Sequence, residues 1–269
     1  MRDLPIVVLL VSAVTLWLAT WAGASIFRRR KALDERSRSD YTSLVGAILT
    51  LLALIISFTF SMAVSRYDLR KGYEEAEANA IGTEFARASL LPAADAAQVR
   101  ALLTHYVDLR IQDYSTRDES EIRRLKDQTS QSQNQLWSAA RTPAMAQPTA
   151  LSALAVSGMN DVLNSQGYAQ AAWWNRIPLS AWWMMGTIAI CGCTLVGYGA
   201  HGFKAEAYFI WVLPMVISIA FFLIADIDSP RAGLIRVKPQ NLIDVAQSMH
   251  ASVAANDRLT APARPVDTR

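Results

Sequence analysis

Only two of the 269 residues are cysteine and only three are histidine. Cys191 and Cys193 stand two positions apart inside one apolar run, which turns them to different faces of a helix. They read as small packing residues, and a disulfide framework is excluded. His105, His201 and His250 are far apart and carry no paired-ligand spacing, so no metal is expected. Glycine is scattered, with no phosphate-cradling loop and no nucleophile elbow. Nothing recommends an enzyme or a bound cofactor. Charged residues are sparse at 18%, and the net charge of +3 is too small and too scattered for a nucleic-acid partner.

What is abundant is apolar sequence, and it falls in two blocks near the two ends of the chain. Leu4 to Phe27 contains no charge. At about 1.5 Å per residue this run is long enough to cross a hydrocarbon core of roughly 30 Å. Arg28, Arg29, Arg30 and Lys31 end it. Charges after a long run, not before a short one, predict an uncleaved anchor. A second span is expected from Tyr41 to Val64, a third from Ala181 to Tyr198 and a fourth from Tyr208 to Ile224. Trp173, Trp174, Trp182, Trp183 and Trp211 supply rings suited to headgroup depth. A re-entrant hairpin formed by the short third and fourth runs is the alternative to four spans.

The expected fold is an all-α membrane protein with four transmembrane helices in two hairpins and an inserted helical extramembrane domain. Its divisions are a first hairpin over 1–64, the helical domain over 65–180, a second hairpin over 181–225 and a tail over 226–269 with a disordered end. Within the domain, Val99, Leu102, Leu103, Tyr106 and Arg110 follow helical spacing. The second span is expected to continue unbroken to Ser89. A helix around Glu119 to Lys126 gives way to the polar run Gln128 to Gln135, and Pro143 to Pro148 marks a loop before a helix near Thr149 to Ala171. Ser229-Pro230-Arg231-Ala232-Gly233 must turn, and a short helix from Gln240 to Ala251 follows. Six Lys or Arg between Arg28 and Arg38 place that linker in the cytoplasm by the positive-inside rule, and the central domain outside.

Ser43, Ala47, Thr50, Ser57, Ser61 and Ser65 share one face of the second span, interrupted by Leu54. Such a stripe serves close helix packing, or it forms the wall of a polar conduit when several copies meet, narrowed by Leu54 or Phe58. The pore-lining candidates are therefore Thr50, Leu54, Ser57, Phe58, Ser61 and Ser65. Glu77, Asn79 and Thr83 are candidates for an ion vestibule, against the plainer reading of a solvated helix face. Asp226 and Asp228 read as interfacial carboxylates.

The segments Glu77-Ala78-Asn79-Ala80-Ile81-Gly82-Thr83, Leu90-Leu91-Pro92, Tyr106-Val107-Asp108-Leu109-Arg110, Leu136-Trp137, Asn175-Arg176-Ile177-Pro178 and Asp228-Ser229-Pro230-Arg231-Ala232-Gly233-Leu234-Ile235-Arg236-Val237 occur in this order. Together they resemble the bacterial bestrophin-like membrane proteins, from about Tyr41 to Met249. The resemblance implies kinship with bestrophins, which are pentameric anion channels with a helical extramembrane domain kept in the cytoplasm. It implies a multi-pass protein of the bacterial inner membrane, with the lipid bilayer, further copies of itself (a pentamer) and inorganic ions, anions before cations, as partners. The competing expectation is a non-conducting scaffold or sensor whose helical domain binds a partner.

Overall fold

The computed structural model describes residues 4–27, 35–199 and 206–260. Those residues are helical throughout, joined by short turns: α1 Pro5–Phe27, α2 Glu35–Arg87 followed by a 3-10 turn Ala88–Leu90, α3 Ala93–Ser115, α4 Glu119–Ala146, α5 Ala150–Trp174, α6 Leu179–Gly199, α7 Glu206–Asp228 and α8 Gln240–Thr260. Two compact units result. The first holds 1–68 and 175–236; the second holds 69–174 and 237–269. Helix α2 passes from one into the other without a break, because no proline occurs between its start at Glu35 and Pro92.

In the first unit, four stretches are long and apolar enough to cross a membrane: Pro5–Ser25, the start of Ser39–Leu90, the part of Ala150–Gly199 that holds α6, and Trp211–Asp228. Helix α1 packs against α6 and α7. Its contact with α6 is reciprocal: a side chain on Gly23 would strike the Thr194 carbonyl, and one on Gly197 would strike the Thr20 carbonyl. Small residues that let backbones touch are how apolar helices associate where no hydrophobic force distinguishes lipid from leucine. Leu16, Leu52, Ala63, Met185, Ile217, Phe221 and Ile224 form the core of this unit. Cys191 is exposed and Cys193 buried, both as free thiols, as their two-residue spacing requires. Of the basic linker expected over residues 28–40, 28–34 lie outside the described residues and Glu35 onward begins α2; the predicted disordered end lies outside them from residue 261.

The second unit is a bundle of the continuing α2 with α3, α4, α5 and α8 around Ile81, Val99, Leu103, Tyr106, Leu136, Met159, Val162 and Leu242. Two sequence expectations fail here. The polar run 128–135 does not interrupt a helix: α4 continues through it, since Leu125, Thr129, Ser132, Leu136 and Ala140 recur at helical spacing on its buried side. Pro143 belongs to the last turns of the same helix, so the loop shrinks to residues 147–149. From the tail, Leu242, Ala246 and Met249 of α8 enter this core.

Candidate functional site

On α2 in the first unit, burial is one-sided. Leu52, Thr59 and Ala63 are buried, while Thr50, Leu54, Ser57, Phe58, Ser61 and Ser65 are all exposed. At 100° per residue the line through Ser43, Thr50, Leu54, Ser57 and Ser61 lies directly opposite the line through Leu52, Thr59 and Ala63. Leu44, Leu51, Phe58 and Met62 flank it on one side, and Phe60 borders the other. The polar stripe is thus the face of α2 farthest from the chain's own core, bordered by apolar side chains. Its hydroxyls are partly satisfied within the helix. Ser57 donates to the Ala53 carbonyl at 2.8 Å, Thr50 to Gly46 at 2.8 Å and Ser43 to Ser39 at 3.1 Å. A hydroxyl whose proton is spent on its own backbone turns acceptor lone pairs outward.

The second unit holds a cluster of buried charge that sequence spacing did not reveal. Arg110 of α3 donates from Nε to Glu77 Oε1 at 2.5 Å, from Nη2 to Glu77 Oε2 at 3.4 Å and from Nη1 to Asp113 at 3.0 Å. The Tyr114 hydroxyl donates to Glu77 Oε2 at 3.2 Å, and its ring meets Trp173 edge-on at 5.0 Å. Burial first, then the Glu77 charge, pushes the Tyr114 hydroxyl above the usual phenol range and keeps it a donor. Burial works against the Arg110 charge, but Glu77 more than offsets it, and the guanidinium is held above its ordinary value. Nearby, Glu74 accepts from Asn241 Nδ2 at 2.6 Å and from the Leu242 amide at 3.0 Å, placing a carboxylate on the free amides that begin α8.

Among the vestibule candidates, Asn79 and Thr83 are exposed, whereas Glu77 is sealed from solvent with both oxygens engaged. In the first unit, Asp226 accepts from the Leu234 amide at 2.7 Å and the Ile235 amide at 2.9 Å, and Asp228 accepts from the Ile177 amide at 3.0 Å. Both are buried. They hold the turn after α7 and the entry to α6. No group of His, Cys, Asp or Glu able to hold a metal ion occurs among the described residues. The sequence motifs contain Glu77, Arg110 and Asp228, but nothing in their order marks that Glu77 meets Arg110 or that Asp228 meets the Ile177 amide.

The chain is similar in fold to the bacterial bestrophin homologue of Klebsiella pneumoniae. One structure of it shares 12% identity at a TM-score of 0.66, over 92% of this chain and 96% of that one. Another shares 15% at 0.62, over 90% and 98%. No curated protein sequence matches. The sequence pattern of the bestrophin-like domain, in contrast, runs from residue 10 in the first span to residue 242 in the first turn of α8, and by that match the chain belongs to the bestrophin-like family.

Proposed function

We propose that this membrane protein is an oligomeric ion channel whose pore is lined by α2. The observation that carries the reading is the exposed polar stripe opposite the buried face of that helix. In a single chain it would face hydrocarbon, where hydroxyls gain nothing. Copies arranged about an axis would turn the stripe inward and bury the outer flank of Leu44, Leu51 and Met62 between neighbours. Thr50, Ser57, Ser61 and Ser65 then line the path, Leu54 and Phe58 narrow it, and Asn79 and Thr83 supply a vestibule. Glu77 braces that helix from behind through Arg110.

The same reading makes it a multi-pass inner-membrane homo-oligomer, a pentamer by kinship, with two hairpins (1–64 and 181–225), a helical domain over 65–180 and a tail from 226. Kinship favours anions. The outward lone pairs of the back-bonded hydroxyls favour cations, so selectivity is the discriminating measurement.

The test is the oligomeric state of the purified protein followed by anion and cation flux in liposomes, with Leu54→Ala and Phe58→Ala. A ring of five or more copies that conducts, with conductance altered by either substitution, supports the pore. A dimer, or a ring that passes nothing, supports the scaffold reading, in which the stripe is helix packing and the helical domain binds a partner.

A further inference from the structure

Glu84 lies one heptad beyond Glu77 on α2, on the same buried side, yet takes no part in the ion network. Its side chain is fully buried, and neither carboxyl oxygen has a hydrogen-bond partner. Glu74 and Glu77, by comparison, each hold two or more donors.

The space Glu84 fills is made by a missing side chain. Gly158 of α5 faces it, and a Cβ there would overlap Glu84 Oε2 and come within 2.7 Å of Arg87 Nη1. The charged groups acting on this carboxyl are Arg87 from its own helix and Asp161 from α5. From α3, Arg100 is committed to the Phe85 carbonyl at 3.4 Å and stands over the Phe85 ring. From α8, Val245 contacts the neighbouring Gly82.

A buried carboxyl without donors is tolerable when neutral and costly when ionised. Burial is the main cause here; Arg87 opposes it and Asp161 adds to it, and the group is pushed up to about 8.

We propose that Glu84 is a proton-operated latch between α2 and α5. Protonated, its carboxyl seats against Gly158 and closes the contact. When the proton leaves to water, the carboxylate has no hydrogen-bonded donor in its seat and swings away from Gly158 to pair with the adjoining Arg87, loosening α5 from α2.

The direction follows from linkage. Between the unfolded carboxyl value of 4.5 and the folded value of about 8, the native state holds a proton that the unfolded chain has lost. Stability is therefore complete below that window, falls as pH rises through it, and levels off above it. The latch does not depend on conduction; any effect of Glu84 on flux rests on the channel reading.

The experiment uses the full chain in detergent, wild type against Glu84→Gln, from about pH 5 to about pH 9. Thermal midpoint and hydrogen exchange of the α5 segment around Gly158 are followed. In the wild type the midpoint should fall with rising pH, and α5 protection, corrected for intrinsic exchange, should drop at least about tenfold near the top of the range. Glu84→Gln should hold both nearly constant. Equal pH dependence in the two proteins would overturn the latch. So would a flat wild type with a destabilised Gln variant, which would mean an ionised Glu84 paired with Arg87. Should the variant not fold, difference infrared spectra of the wild type decide. A protonated carboxylic acid band at about pH 6 that loses about half its intensity near pH 8 upholds the proposal, and its absence at about pH 6 overturns it.

Discussion

Glu77 and Arg110 lie 33 positions apart in sequence, and their side chains meet at 2.5 Å with almost no exposure to solvent. The attraction within such a pair is largely offset by the cost of removing both charges from water. Its contribution is to fix position: only one register of α2 against α3 brings the fork of Arg110 onto both oxygens of Glu77, with Asp113 and Tyr114 closing the remaining sites.

Breaking that pair from one side should be far worse than removing it. Glu77→Ala leaves Arg110 buried without its main counter-ion and should cost about 3–5 kcal/mol, whereas Glu77→Leu with Arg110→Met should recover much of the loss. Chemical unfolding of the four members of this cycle gives the coupling. Additive single effects would show that the pair is not a unit.

The Asp226 carboxylate should behave as a turn anchor. Asp226→Ala removes the acceptor for two amides, Leu234 and Ile235, and should lower stability by about 2–3 kcal/mol. Asp226→Asn, which keeps one acceptor oxygen, should lose less. If the residue instead served ions, both variants would melt like the wild type and differ only in flux.

The spans were legible because twenty-odd uncharged residues have few other destinations, and the stripe was legible because 100° per residue maps serines onto one face of α2 without any knowledge of packing. The partners of the charges were not. Glu74 meets Asn241 and Leu242 across 167 and 168 positions, and no local pattern marks such a pairing. Glu77 accordingly read as a solvated helix-face charge or a vestibule candidate. The continuity of α4 was hidden for a different reason: Gln, Ser and Asn look like loop residues until Thr129, Ser132 and Leu136 are seen sharing the buried side.

Close packing of α1 on α6 makes two glycines sensitive to a single methyl. Gly23→Ala and Gly197→Ala should each destabilise by about 1–3 kcal/mol, since each new Cβ runs into a carbonyl that cannot move independently of its helix. Gly186 of α6 has open space around it, so Gly186→Ala is the matched control and should be neutral or slightly stabilising. Melting in detergent compares the three. Equal midpoints would mean that the two helices separate more easily than their contact implies.

Thiol accessibility can locate water along α2 without an electrical measurement. In a background of Cys191→Ser and Cys193→Ala, single cysteines at Ser57, Ser61 and Ser65 sit on the stripe, and those at Leu51 and Met62 sit on its apolar flank. All five positions are exposed in one chain, so exposure alone predicts equal labelling by a water-soluble thiosulfonate. A water-filled path lined by the stripe predicts otherwise: reagent and thiolate both need water, and the three stripe positions should react at least about tenfold faster than the flank. If the stripe is buried in helix packing it should be the slower set. The cysteine at Ser57 also reports the narrowing: with Phe58 in place it should react with reagent added on one side of the membrane and be shielded from the other, and Phe58→Ala in the same background should open it to both.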